Sequence, residues 1–377
     1  MIRLIVVAVV VSLTCATAPA QDDRARVIGE CDRLAASNLD PDRPASVPGV
    51  VPAALDGAAA VPACEAALKL APDDRRVIFQ LGRAYQVAKD YDKARAQYLR
   101  ADALGHLLAA NNLGALYFEG LGVARDYAQA RRYYEKAAAG GIPLSMANLG
   151  RTYEFGQGSP KDYAEALRWY EKAAALGSTQ AMTSIGRLYY FGKGVAKDTA
   201  AARGWYERAV AGGDADAMYA LGVAYETGAG VPSDLQKSRE WFEKAASLGN
   251  TYAMAKIGML YADGIGVPRD LAEARRWYEK AVAGGNWIAM LKLGLVYKRG
   301  EGVPVDLAEA RRWFEKGAAA GDPYSMVNLG QMYEKGDGGP LDYAAAQGWY
   351  EKALAAGFND AAQELARLRR IASPKRN

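Results

Sequence analysis

Residues 253–281 read AMAKIGMLYADGIGVPRDLAEARRWYEKA, two apolar-periodic segments joined by the turn Gly264-Ile265-Gly266. In the second segment Ala274, Trp277, Tyr278 and Ala281 recur at spacings of three and four, which places them on one face of a helix. The first segment carries Ile257, Gly258 and Tyr261 in the same manner and ends at the glycine pair, where a helix exit needs positive φ. Asn250 precedes the first segment and Asp270 the second, both good N-cap residues. The stretch therefore predicts a helix hairpin.

The same pattern returns every 36 residues. Gly114, Gly150, Gly186, Gly222, Gly258, Gly294 and Gly330 keep that spacing, as do Tyr133, Trp169, Trp205, Trp241, Trp277, Trp313 and Trp349. Six units carry Met in phase, from Met146 to Met326, so seven complete units span 105–356. Ser178, Asp214, Asn250, Asn286 and Asp322 stand at first-helix caps, with Pro323 in the first helical position. The second helices open at Asp126, Asp162, Asp198, Asp234, Asp270, Asp306 and Asp342. Gln or Glu three residues after Asp126, Asp162, Asp270 and Asp306 suggests a capping box. A single hairpin cannot bury its own apolar face, but stacked neighbours can. The expected fold is all-α, a right-handed α-solenoid of stacked antiparallel helix hairpins. The repeated Trp and Tyr read as core.

The unit Ala-Met-x-x-Leu-Gly-x-x-Tyr, Gly-x-Gly-Val-Pro-x-Asp, Ala-Arg-x-Trp-Tyr-Glu-Lys-Ala resembles the Sel-one-like repeat family, a branch of the tetratricopeptide-like helical repeats. The resemblance implies a scaffold that binds other proteins, often in the bacterial envelope. Departures are Ala110 for Met, Tyr133 for Trp and Ser238 for the helix Ala.

Upstream, Gly82 lies 32 residues before Gly114, and the missing four match an absent Gly-x-Gly turn. Residues 73–104 thus resemble a plain tetratricopeptide hairpin, with helices over 75–88 and 92–104. Residues 21–72 form an amino-terminal cap with helices over 24–36 and 63–70 around a Pro-rich loop, 40–53. Residues 357–377 supply a closing helix, 361–371, and a basic tail.

Residues 1–20 have the form of a secretory signal: Arg3, an apolar run from Leu4 to Leu13, and Ala18-Pro19-Ala20 before Gln21. The run is about half of the roughly 20 residues that a bilayer span needs. The expectation is a periplasmic protein cleaved after Ala20, touching membrane only through an uncleaved signal. Cys31 and Cys64 then remain as a pair, which reads as one disulfide in an oxidising compartment.

The 47 basic and 43 acidic residues give a net charge of +4, too small and too evenly spread for a nucleic-acid partner. One His, His106, and no Cys-x-x-Cys spacing leave no metal-binding motif, so no metal or cofactor is expected. No phosphate loop, His-Glu-x-x-His or Ser-x-x-Lys occurs, and the expectation is no enzymatic activity. An enzyme acting on β-lactam or cell-wall peptide, or a purely structural spacer, are the alternatives.

A peptide groove is expected on the first helices, where the units differ. Counting from the first Gly of each unit, positions 4, 8, 11 and 15 form one stripe. It offers Asn112, Asn148, Arg151, Arg187, Tyr252, Lys256, Lys292, Arg299, Tyr324, Asn328 and Lys335. Six of its residues are basic and only Glu119 and Asp263 are acidic, which favours an acidic or carboxylate-ended peptide. Trp287 stands out of phase with the other aromatics, as an exposed anchor or an inter-repeat contact. Oligomeric state has no signature in the sequence.

Overall fold

The computed structural model describes residues 18–372. Most of the expected signal segment and the basic tail 373–377 lie outside the described residues. Among the described residues every regular element is helical. No helix of the described residues is long and apolar enough to cross a membrane. Contacts divide the chain into two compact units, Met1–Ala181 and Met182–Asn377.

The seven sequence repeats each form two helices of 13 residues. The first helices are Leu107–Glu119, Pro143–Phe155, Thr179–Phe191, Ala215–Thr227, Thr251–Asp263, Trp287–Arg299 and Pro323–Lys335. The second helices are Tyr127–Ala139, Tyr163–Ala175, Thr199–Ala211, Leu235–Ser247, Leu271–Ala283, Leu307–Ala319 and Tyr343–Ala355. Inside each compact unit first helices pack on their own second helices, as Leu107–Glu119 does on Tyr127–Ala139, and second helices on the next first helix, as Leu271–Ala283 does on Trp287–Arg299. The fold is an α-solenoid of stacked hairpins.

Local chemistry sets the hairpin. In every repeat the Asp before the second helix accepts a backbone N–H with its side chain, as Asp306 does from Glu309 at 2.9 Å. Such a cap contributes about 1 kcal/mol. The capping box expected at Asp126, Asp162, Asp270 and Asp306 is not closed. The backbone N–H of each cap donates instead to the repeat's tyrosine carbonyl: Asp126 to Tyr117 at 2.9 Å, Asp270 to Tyr261 at 2.9 Å, Asp306 to Tyr297 at 3.0 Å. That carbonyl lies in the last turn of the first helix and has no helical partner. One bond therefore satisfies two orphan groups and closes the turn. Glu165, Glu273 and Glu309, left without the box, accept from Arg168, Arg276 and Arg312.

The two turn glycines have different tasks. Gly336 ends the helix Pro323–Lys335 at φ +72°, where its N–H reaches the Met332 carbonyl. Gly338, at φ +69°, passes so close to the preceding repeat that a Cβ there would lie 2.2 Å from the Leu307 carbonyl oxygen. The hairpin without the insertion keeps the same closure. Asp90 N–H donates to Tyr85 O at 3.0 Å across five residues where later repeats use nine, and Lys89 takes positive φ.

Packing inside each hairpin is glycine on aromatic. A Cβ on Gly258 would stand 2.6 Å from the Tyr278 ring, and one on Gly330 2.6 Å from Tyr350. Tyr134, Tyr170, Phe242, Phe314 and Tyr350 are fully buried. The adjoining tryptophans are half-buried and pack against the edge of the core clusters, as Trp241, Trp277, Trp313 and Trp349 do. A cation one turn on covers the outer ring face: Lys280 lies 4.1 Å from the Trp277 centroid and Lys316 3.9 Å from Trp313. Trp287 is likewise half-buried, at the start of its helix.

At the amino end, helices Ala18–Ala35 and Gly57–Leu70 are joined by the Cys31–Cys64 disulfide. The second starts six residues before the expected point, capped by Asp56, and carries Pro62 inside it. Pro62 is the sixth residue of that helix and leaves the Ala58 carbonyl without its helical donor, yet the helix continues through it. The Pro-rich loop is pinned at both ends by Arg83, whose guanidinium donates to Ala35 O and Val50 O at 2.6 Å each. The helices Arg75–Val87 and Tyr91–Ala103 follow. At the carboxyl end Ala361–Ala372 closes the stack through Leu365 and Leu368.

Candidate functional site

The first-helix face differs between the two units. In Met1–Ala181 its asparagines bind one another. Asn111 Oδ1 accepts from Ser145 Oγ at 3.0 Å and Asn148 Nδ2 at 3.1 Å, while Asn111 Nδ2 donates to Asn112 Oδ1 at 3.2 Å. Asn112 and Asn148 thus join successive repeats. The Arg151 guanidinium lies 4.5 Å from the Phe118 ring centroid. The Pro-rich loop reaches this face, and Leu39 with Arg83, Leu108, Asn112 and Leu144 lines a cavity of about 150 Å³.

In Met182–Asn377 the face is more charged. Tyr252 and Tyr324 remain 45% and 51% exposed. Tyr252 lies 6.2 Å from Tyr219 of the preceding first helix, and Tyr324 meets Phe358 edge-on at 4.8 Å. Lys256 Nζ is 2.8 Å from Glu226 Oε2, a half-buried ion pair between repeats. Arg299 reaches Glu301 at 3.4 Å. Asn328 Oδ1 accepts from Lys298 Nζ at 3.1 Å. Burial lowers the Lys298 pKa, and the nearby Lys335 charge pushes it the same way. Lys292, Arg269 and Arg299 line a cleft of about 140 Å³ with Asp263, Tyr278 and Glu301. Among the described residues Lys292 and Lys335 form no ion pair. Arg187 lies near enough to Asp216 to favour its ionised form, against a burial that raises the Asp216 pKa.

The stripe read from the sequence omitted the residue four after each repeat glycine. That position holds Glu154, Glu226, Lys298 and Glu334; Glu226 and Lys298 reach the neighbouring first helix, while Glu154 and Glu334 are buried against tyrosine hydroxyls. Glu226 reduces the basic excess counted from the stripe alone. The signal was present as one more helical step, i+4 from the glycine, where charge varies between units.

The repeat can now be compared with known proteins. A family model described as Sel1 repeat matches eight successive segments: 64–106, 107–142, 143–178, 179–214, 215–250, 251–286, 287–322 and 323–358. The chain belongs to the Sel1 repeat family. The matches extend the repeat over 64–106, the segment that resembles a plain hairpin. Among solved structures, the Sel1 repeat protein from Oxalobacter formigenes is 35% identical, with TM-score 0.56, over 63% of this chain and 98% of that one. A protective antigen of uropathogenic Escherichia coli strains with the same fold is 32% identical, with TM-score 0.50, over 81% of this chain and 67% of its own. No curated protein matches by sequence. Sel1 repeats are scaffolds of the protein-interaction type, and the intramolecular disulfide is compatible with an extracytoplasmic setting.

Proposed function

We propose that this Sel1 repeat protein is a non-catalytic scaffold that binds a protein or peptide through the first-helix face of Met182–Asn377. The carrying observation is the pairing of exposed aromatic rings with free cations. Tyr252 and Tyr324 stand open to solvent, while Lys292 and Lys335 have no ion-pair partner among the described residues. Rigid aromatic side chains with a polar tip bind at low entropic cost, and an unpaired ammonium selects a carboxylate. The ligand chemistry is therefore an extended segment with acidic side chains or a free carboxyl end. Lys256 contributes less to that choice, because Glu226 already neutralises it.

We place this activity in the periplasm, after export and cleavage following Ala20. The disulfide supports that compartment, and so does the description of the Escherichia coli relative as a protective antigen.

The test is crosslinking in periplasmic extract of the source cells, comparing the wild-type chain with the double variant Lys292→Glu, Lys335→Glu. The same partner should be captured by the first and lost from the second. Equal capture by both removes this face from the function. Turnover of a chromogenic β-lactam that a substitution on this face abolishes would replace the scaffold reading with an enzyme.

A further inference from the structure

We propose that Asp40, Asp42 and His106 form a binding site for a divalent transition metal of the zinc class, which ties the Pro-rich loop to the start of the helix Leu107–Glu119. Asp40 and Asp42 occupy one turn of the loop. The Asp42 N–H donates to Asp40 Oδ1 at 2.9 Å and the Arg43 N–H to Asp40 O at 3.2 Å. His106 stands at the N-cap position of the helix but makes no capping bond. Its ring stacks on Phe79, with centroids 4.1 Å apart. The Nε2 atom is 3.2 Å from Asp40 Oδ1 and 3.9 Å from Asp42 Oδ2.

Burial turns this proximity into an argument. The side chains of Asp40 and His106 are 0% and 1% exposed, and Asp42 is 25% exposed. Asp40 Oδ2 and both His106 ring nitrogens are enclosed without a hydrogen-bond partner. Buried polar atoms are costly to leave unmade, and a bound ion is one way such atoms are satisfied in a native structure. A proton on His106 would satisfy one nitrogen and leave Asp40 Oδ2 unpaired. A cation between the three side chains serves the imidazole and both carboxylates together.

The spacing fits the ion. Metal–ligand bonds of about 2.0 Å in a tetrahedron put the ligand atoms about 3.3 Å apart. The three side chains offer ligand atoms that all lie within 4.8 Å of one another. Small side-chain rotations bring them to that edge. One imidazole nitrogen among carboxylate oxygens selects zinc-class metals over calcium or magnesium, which take oxygen alone. Arg75 donates to Asp42 Oδ1 at 2.9 Å and lies 2.7 Å from Oδ2, an outer-shell contact that orients the carboxylate. Each carboxylate oxygen keeps a second lone pair for the ion. Asp42, 25% exposed, is the most accessible of the three side chains.

The chain holds a single histidine, so any imidazole-dependent signal is assigned without ambiguity. The untagged full protein is stripped with chelator and titrated with Zn²⁺ at neutral pH by calorimetry, alongside Co²⁺ followed by visible absorption. One ion per chain, a melting temperature that climbs with free Zn²⁺, and a Co²⁺ d–d band are expected. His106→Gln and the more exposed Asp42→Asn should each weaken Zn²⁺ by at least about tenfold and bleach the Co²⁺ band. Circular dichroism confirms that the variants fold. Absence of stoichiometric binding overturns the site, as does Zn²⁺ affinity unchanged in both folded variants.

Discussion

The hydroxyl of Tyr170 donates to Oε2 of Glu154 at 2.8 Å, across the hairpin and wholly inside it. The glutamate is four residues past the repeat glycine Gly150, on the same helix, and the tyrosine ring fills the space beside that glycine. Tyr350 and Glu334 repeat the arrangement at 3.0 Å, and Tyr98 and Gln86 at 2.6 Å. Where the second helix carries Phe242 or Phe314, no hydroxyl is available. The residue at the glutamate position then turns to the next repeat: Glu226 to Lys256, Lys298 to Asn328. Without that hydroxyl the side chain at this position reaches the next repeat; with it, Glu154 and Glu334 bond inside the hairpin, and Glu334 also accepts from Arg367 of the closing helix.

Tyr170→Phe should therefore destabilise the protein by about 1.5–3 kcal/mol, the worth of one hydrogen bond to a charged group. Glu154 is only 2% exposed and cannot turn to solvent without repacking. Urea unfolding measures the loss. The converse substitution, Phe242→Tyr, should draw Glu226 inward and shrink the Glu226–Lys256 coupling in a double-mutant cycle. An unchanged coupling contradicts the rule.

Glycine-to-alanine substitutions should differ in sign with their position. Within a helix the exchange gains up to about 1 kcal/mol from propensity. Gly204 and Gly348 have nothing within 4 Å of a new Cβ, so each should be stabilised by roughly that amount. At Gly258 the Cβ would meet the Tyr278 ring at 2.6 Å and the Ala274 carbonyl at 3.1 Å. Overpacking costs about 1–3 kcal/mol and outweighs the propensity gain. Thermal melts of the three variants check the signs.

Alkaline titration should unfold the stack. Burial pushes up the phenol pKa of Tyr98, Tyr134, Tyr206, Tyr278 and Tyr350. Tyr85 is raised to about 12, by burial first and then by its hydrogen bond to Glu65. A free phenol ionises at about 10. Because the folded values are raised, this stability is fully present below pH about 10 and is lost as pH climbs through the folded values. Tyrosinate absorbance of the buried rings should rise together with loss of helical ellipticity. Ionisation of those rings in a chain that stays helical would contradict this account.

Reduction of Cys31–Cys64 should cost about 3–4 kcal/mol in the amino-terminal unit, from a chain separation of 33 residues. Hydrogen exchange with and without reductant reads it locally. Amides of Arg75–Val87 should lose protection, while those of Leu271–Ala283 keep theirs.

The period of 36, the Asp caps and the glycine turns were all legible in the sequence, because each rests on residues within about one turn of each other. So was the resemblance that the family match establishes for residues 64–358. The face was legible only in part. Asn112, Asn148 and Lys256 were chosen for their helical phase, yet their partners are Asn111 and Glu226, which phase alone did not select.

What the sequence by itself determined is the hairpin and its repetition, since apolar period, capping oxygens and positive-φ glycines act over a few residues. Tertiary structure alone decided which charges remain free and that Asp40 faces His106. Those two residues approach where Arg83 and Arg75 hold the Pro-rich loop against the first hairpins, and no local pattern encodes a contact between turns so far apart in the chain.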